Sequence, residues 1–393
     1  MSADRVESLP AIAADIRQAH TLPACAYTDP PIFAAERERI FACTWQAVAS
    51  RDRLSRPGQQ LACRVAGWPV VIVCDENGVL RGFHDVCRHR AGPLTDGEGA
   101  ACQRKTLQCR YHGWTYGLDG RLLHTPGLRA SDAEPGDGDT AQRFDRADFS
   151  LVPIEVSSFG PLVFARLRPA SVSGAPDARS LLAVLGELPT ETAHYAQQAS
   201  VLCERREYRV NCNWKVYIDN YLEGYHIPLV HPALLRELDY PAYRVEPRAY
   251  HSRQYAPIRP LPLNSSANDG AGREYLPTEG DGAAAYYWVF PNLMLNYYPD
   301  HLQVNIVQPI AIDQTLVVFE WYFAEALDAA QRAKQHRRIE FADAVQCEDA
   351  AICQAVQQRL HTGVYDRGRF VPGQEAGVHH FQRLVLQHLK GEG

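Results

Sequence analysis

Two short segments each pair a cysteine with a histidine: Cys87 and His89 in CRHRAGPL, and Cys109 and His112 in CRYHGWTY. Thiolates and imidazoles are the side chains that take soft and borderline metals. Each segment offers one of each, so the two together can grip a single centre from both sides. Structural zinc sites more often group like with like, as C-x2–4-C and H-x3–5-H, and a Cys2His2 zinc site is the rival reading. The mixed pattern suits a two-iron, two-sulfide cluster of the Rieske type, in which one iron takes two thiolates and the other two neutral imidazoles. That substitution raises the reduction potential, which fits a group that accepts electrons and passes them on.

A second constellation lies further on, in NWKVYIDNYLEGYHIPLVHP from Asn213 to Pro232. Glu223 and His226 stand three apart, which places them on one face of a helix. His226 and His231 stand five apart, and Pro228 between them breaks the ladder and turns His231 back. Two histidines with one carboxylate form the facial triad of non-heme Fe(II) oxygenases, with positions open for O2 and substrate. The carboxylate is sought in FADAVQCEDAAICQAVQQRL. At about 100° per residue, Val345, Ile352 and Val356 form an apolar stripe with Asp349 close beside it, while Asp343 faces away. A carboxylate on a buried stripe needs a partner such as a metal ion. Asp349 is the expected third ligand and Glu348 the alternative. The remaining histidines lack ligand spacing.

Those residues need elements to hold them. PIFAAERERIFAC, from Pro31, reads as a short amphipathic helix. From Trp45 to Arg168 short β-branched and aromatic runs alternate with turn residues, the texture of a small all-β domain of hairpins, with turns at Asp75 and Leu118. PGLRASDAEPGDGDTAQ from Pro126 reads as a surface loop, PASVSGAPDARS from Pro169 as a domain boundary, and 259–285 as a loop beside the second site. Helical pattern resumes at LLAVLGEL and again after Trp214. Strand-like segments return between Tyr286 and Phe323, and Ala326–Leu360 is helical in pattern.

The chain has 393 residues, enough for two or three domains. It carries 40 basic and 46 acidic residues without a basic block, which argues against a nucleic-acid partner. The N-terminus has early acids and no apolar core of a signal peptide, and runs such as PVVIVC are too short to span a bilayer. The reading is a soluble cytoplasmic protein without a membrane partner. Its 11 cysteines are scattered rather than framed, which favours metal binding or burial over disulfides.

With both constellations in view, the sequence resembles the Rieske non-heme iron oxygenases, the family of ring-hydroxylating and related oxygenase α-subunits, over nearly its whole length. Cys87, His89, Cys109 and His112 match the family's cluster ligands. The gap from His89 to Cys109 is longer than usual and contains a spare Cys102. His226, His231 and Asp349 match its mononuclear iron ligands. The resemblance implies that Glu223 is no ligand but bridges His226 to His112 of a neighbouring subunit, in a homotrimer; many relatives carry Asp there. It implies an α+β fold, with an all-β Rieske [2Fe–2S] domain (43–168) inserted in a helix-grip catalytic domain with an antiparallel sheet (1–42 and 169–393). It further implies a flavin or iron–sulfur reductase that draws on NAD(P)H, since the chain has no G-x-G-x-x-G. The segments around NWKVYIDNYLEGYH and FPNLMLNYYPDHLQVNIVQPI are similar to the choline, glycine-betaine and carnitine monooxygenase branch, which hydroxylates a carbon next to a quaternary nitrogen. Trp288, Phe290, Tyr297, Tyr298, Trp321 and Tyr322 could cage such a cation, or be core. Aromatic-ring hydroxylation and aryl demethylation are alternatives within the family. A Rieske electron carrier without catalysis is the alternative from another class.

Overall fold

The computed structural model describes residues 2–97, 99–128, 144–167, 179–193, 195, 201–259, 283–326 and 328–392. The chain forms two compact units, one of Met1–Ile40 with Arg179–Gly393 and the other of Phe41–Ala178. The expected first boundary, at Cys43, lies close to Phe41. The expected second boundary at 168/169 lies outside the described residues, as do most of the three anticipated loops.

The inserted unit is all β. Its strands are β1 (Gln46–Ser50), β2 (Gln59–Val65), β3 (Trp68–Cys74), β4 (Leu80–His84), β5 (Ala101–Gln103), β6 (Thr106–Gln108), β7 (Thr115–Gly117), β8 (Leu122–His124), β9 (Pro153–Phe159) and β10 (Leu162–Arg166). They make an antiparallel sheet in the order β1-β10-β9-β4-β3-β2-β5 and a small sheet β6-β7-β8. β-Branched runs such as Val70–Val73 are wholly buried, which is what fills the core between faces. The expected turn at Asp75 is pinned by its own carboxylate, which accepts from the backbone of Asn77 and Val79 at 2.9 Å each.

The other unit is built on an antiparallel sheet of β11 (Val201–Val210), β12 (Arg244–Pro247), β13 (His251–Pro257), β14 (Ala283–Val289), β15 (Leu293–Tyr298), β16 (His301–Ala311) and β17 (Gln314–Phe323), ordered β11-β17-β16-β15-β14-β13-β12. The helix Trp214–Tyr221 packs on β16 and on the long helix Ala329–Leu360. Its start is fixed by Asn213, which caps Lys215 N at 3.1 Å and donates to Ile312 O at 2.7 Å. Lys215, fully buried, meets Glu36 at 2.5 Å and Asn213 Oδ1 at 2.9 Å, and Trp214 Nε1 donates to the same Glu36 at 2.8 Å. A buried charge held this way ties the helix to the N-terminal segment.

Two sequence expectations change here. The helix begun at Pro30 remains α-helical only to Glu36 and runs on as a π-turn, Arg37–Phe41. The stripe on the long helix is not the buried face. Ile352 and Val356 are exposed, while Arg338, Ile339, Ala342, Gln346, Cys353, Gln357 and Leu360 are buried. Polar members of that face are buried because tertiary partners satisfy them: Gln357 accepts from Asn213 N at 2.9 Å and Arg338 donates to Asp300 at 3.2 Å. Of the two readings of the aromatic set, cage or core, most of its members bear out the second. Trp288, Phe290, Trp321 and Tyr322 are shut off from solvent, with Trp321 Nε1 bonded to Gln303 Oε1 at 3.0 Å.

Asp219 on the Trp214–Tyr221 helix is a half-buried carboxyl. It accepts from Tyr27 OH at 2.6 Å and Gln382 Nε2 at 3.0 Å. Burial pushes its pKa up to about 7, against the lowering pull of those hydrogen bonds and of Lys215. Between pH 4 and 7 the unfolded chain gives up this proton and the folded one keeps it, so Asp219 costs stability progressively as pH rises through that window. Asp219→Asn should gain on the wild type by up to about 4 kcal/mol between pH 4 and 8. Urea midpoints of both proteins at the two pH values measure this; an unchanged difference would refute it.

Candidate metal centres

The inserted unit presents two loops of like construction. One follows β4 and the other joins β6 to β7. In each, the cysteine N–H and C=O are both closed back onto the loop: Cys87 N to Gly92 O at 2.9 Å and Ala91 N to Cys87 O at 3.0 Å, then Cys109 N to Trp114 O at 2.8 Å and Gly113 N to Cys109 O at 2.9 Å. Both thiols are buried, while His89 and His112 are exposed. Their rings meet edge to face at 4.6 Å between centroids, and His89 stacks on Trp114 at 4.7 Å. A side chain at Gly92 would lie 2.8 Å from Cys109 Sγ, so only glycine lets the two loops close. Tyr116 OH reaches Cys87 Sγ at 3.2 Å.

These residues fit a two-iron cluster. Burial pushes the Cys87 thiol up, and neighbouring Cys109 adds to this although Tyr116 opposes it. Two adjacent buried thiolates therefore need cations beside them. His112 is held below its usual pKa by desolvation, then by His89 and Arg90, which favours the neutral imidazole that ligates a metal. Spare Cys102 lies apart on β5, its Sγ against Gln60 Oε1 at 3.5 Å.

The second centre lies in the other unit, where the structure brings His226, His231 and Asp349 together with ligand atoms within 4.8 Å of one another. His231 Nε2 stands 3.0 Å and His226 Nε2 3.7 Å from Asp349 Oδ1. Three converging donors, two neutral nitrogens and one carboxylate, fit a divalent iron with open positions. Each far ring nitrogen is held: His226 Nδ1 by Glu223 Oε1 at 2.6 Å, His231 Nδ1 by Glu348 Oε2 at 2.7 Å. Asn220 Nδ2 donates to Asp349 Oδ1 at 2.6 Å. Such partners fix the tautomer and aim the free Nε2 lone pairs inward.

The route by which the chain achieves this differs from the sequence expectation. Glu223 and His226 do not share a helix face, because the helix ends at Tyr221. Instead Glu223 Oε2 accepts from the backbone of Tyr225 and of His226, capping the next turn. Gly224 permits that exit, since a Cβ there would lie 2.8 Å from the Tyr243 ring. Nor does Pro228 redirect His231. It sits in the first turn of the helix Ile227–Val230, where proline is tolerated. His231 both ends that helix and precedes Pro232–Glu237, with φ −122° and ψ 67°. Glu348, the alternative ligand, faces His231 from the side away from Asp349. Sequence reasoning missed its supporting position; its adjacency to Asp349 was the available signal.

Glu348→Ala should weaken iron affinity about 10–100-fold, because His231 loses the acceptor that sets its tautomer. Competition with a chelator measures this, and an unaltered affinity would exclude the supporting position.

The triad opens onto a cavity of about 100 Å³. Six aromatic side chains line it: Tyr217, Tyr221, Tyr243, Tyr286, Tyr298 and Phe319. Only Tyr298 belongs to the aromatic set singled out from the sequence. Tyr286 is pushed up to about 12 by burial, so its phenol stays neutral. Asp219 and Glu223 line a second, larger cavity of about 440 Å³ with Glu375.

Residues 44–143 match the family model of the Rieske [2Fe-2S] domain, and residues 199–391 that of the ring hydroxylating alpha subunit catalytic domain. The chloroplastic choline monooxygenase of Arabidopsis thaliana is 32% identical over 95% of this chain and 84% of the relative. The carnitine monooxygenase oxygenase subunit of Escherichia coli K12 is 29% identical over 96% of each chain. A quaternary ammonium Rieske monooxygenase structure, described for carnitine oxidation, superposes with a TM-score of 0.79 at 25% identity, over 97% of this chain and 100% of the other. Naphthalene 1,2-dioxygenase from Rhodococcus sp. shares the fold, with a TM-score of 0.72 at 20% identity over 95% of each chain.

The chain belongs to the Rieske ring-hydroxylating oxygenase α-subunit family. It is a Rieske-type non-heme iron oxygenase, and its cofactors are a Rieske [2Fe–2S] cluster and a mononuclear iron. No helix among the described residues is long and apolar enough to cross a membrane.

Proposed function

We propose that this protein is a monooxygenase for a small quaternary ammonium compound, hydroxylating a carbon beside the cationic nitrogen. The observation that carries the reading is the ring of aromatic side chains around the cavity at His226, His231 and Asp349. A quaternary ammonium cannot donate a hydrogen bond, and aromatic faces attract it by cation–π interaction. The names of the choline and carnitine monooxygenase relatives support the same class.

In this reading Cys87, His89, Cys109 and His112 hold the cluster, and His226, His231 and Asp349 hold the mononuclear iron. When bound, these centres supply electron transfer and O2 activation. The chain's own residues do the rest. Glu223 and Glu348 orient the two imidazoles, Asn220 holds the Asp349 carboxylate, and the tyrosines bind and position the cation. Glu223 also serves as the meeting point for His112 of a second copy, which calls for a homotrimer. Exposed His112 beside Arg90 supports this, as do the acidic groups of the larger cavity, Glu223 and Glu375, by charge complementarity. Electrons come from a separate NAD(P)H-dependent flavin or iron–sulfur reductase. The cytoplasm is the fitting compartment, since every cysteine is free.

Single turnover tests the substrate class. Chemically reduced protein mixed with O2 and choline, glycine betaine or carnitine should yield hydroxylated product or the aldehyde released from it. Turnover of naphthalene or an aryl methyl ether, with none of the ammonium compounds, would move the enzyme to the aromatic branch.

A further inference from the structure

Gln346 is 1% exposed, lines the metal cavity and lies three residues before Asp349 on the long helix. That spacing places it on the same side of the helix as the carboxylate. Its amide is half satisfied. Tyr217 OH donates to Gln346 Oε1, while Gln346 Nε2 is sealed from solvent without a hydrogen-bond partner. The orientation of the amide follows from counting donors. Tyr217 is held well above its usual pKa by burial, then by Asp349, so its hydroxyl carries a proton that needs an acceptor. Turning the amide over would leave that proton, the carbonyl and one N–H unmatched, against the two N–H of Nε2 as it stands.

A buried donor without an acceptor is costly, and natural structures keep few of them. Gln346 lines the substrate cavity, so a turn of its side chain on binding matches the donor to an acceptor that substrate brings. We propose that Gln346 is a specificity-determining residue that reads the oxygen-bearing end of the substrate, its Nε2 donating to a hydroxyl or carboxylate oxygen. The aromatic side chains then hold the ammonium end, and two anchors orient the carbon chain at the metal. This rests on the quaternary ammonium reading and extends it, since a bare alkylammonium satisfies the cage and leaves Nε2 unmatched.

Calorimetric binding to the resting iron-loaded protein separates the two ideas. Tetramethylammonium probes the cage alone, choline adds a hydroxyl and glycine betaine a carboxylate. The wild type should bind choline and betaine more tightly than tetramethylammonium. Gln346→Met, of similar length without a donor, should weaken choline and betaine about 10-fold and leave tetramethylammonium within about 2-fold. Gln346→Glu keeps the acceptor for Tyr217 and decides the matter if the methionine variant does not fold. It should hold choline, whose hydroxyl can donate, and reject betaine by about 10-fold or more through like charge. Equal loss for all three probes, or no loss for choline and betaine, overturns the Gln346 anchor alone. A wild type that binds none of the three overturns the ammonium reading and the anchor with it.

Discussion

Asp349→Ala protein is expected to keep its cluster spectrum and lose both the mononuclear iron and all turnover. Asp349 is the single anionic member of the triad, and its Oδ1 is the point on which His231 Nε2 (3.0 Å) and His226 Nε2 (3.7 Å) converge. Without it two neutral imidazoles remain, too few to retain a divalent iron against water. Iron should fall from about three to about two per chain, with acid-labile sulfide unchanged at about two. The cysteines and histidines of the cluster loops are in the other unit, so their complement is untouched. A variant that keeps about three irons would mean that Glu348 or another group ligates instead.

Glu223→Gln is expected to separate the two centres in function while leaving both loaded. Glutamine retains the shape and one acceptor oxygen, for His226 Nδ1, now 2.6 Å from Oε1, so iron content should hold although the backbone N–H groups of Tyr225 and His226 lose their acceptor. What disappears is the charge at the proposed junction with His112 of another copy. Turnover should drop about 10–100-fold, with the cluster still reduced at its normal rate. Mixing adds a sharper arm. Hybrids of Glu223→Gln chains with Cys109→Ser chains should recover activity that neither has alone. One supplies an intact cluster and the other an intact Glu223, which works only if electrons pass between copies. Hybrids that recover nothing, although mass analysis shows them mixed, would mean the transfer runs within one chain.

Much of this site was legible in the sequence, and the reason is chemical. Metal ligands are restricted to a few side chains, so Cys87, His89, Cys109, His112, His226 and His231 stand out by type and spacing alone, and the structure brings each group together. The β texture of the inserted unit was legible too, because alternating strands and Asp or Gly turns are local signals. What failed was the set of features decided by tertiary packing. Ile352 and Val356 are apolar yet exposed, while Gln346 and Gln357 are buried, because partners from distant segments, Tyr217 and Asn213, donate to their amide oxygens. Tyr286 and Trp288 share one face of their strand, two residues apart, and only the completed fold decides that Tyr286 and Tyr298 border the cavity while Trp288 and Trp321 fill the core. The exit from the Trp214–Tyr221 helix was misplaced for the same reason. Pro228 is a strong local breaker, but the break is made earlier, where Glu223 caps the following turn.

The most direct test of the account is electron paramagnetic resonance of the anaerobically reduced protein exposed to nitric oxide, with and without choline. The Rieske signal should be joined by a high-spin signal from the mononuclear iron, and choline or betaine, but not benzoate, should reshape that second signal. Absence of any high-spin signal in iron-loaded protein would contradict the second metal centre and the oxygenase mechanism built on it.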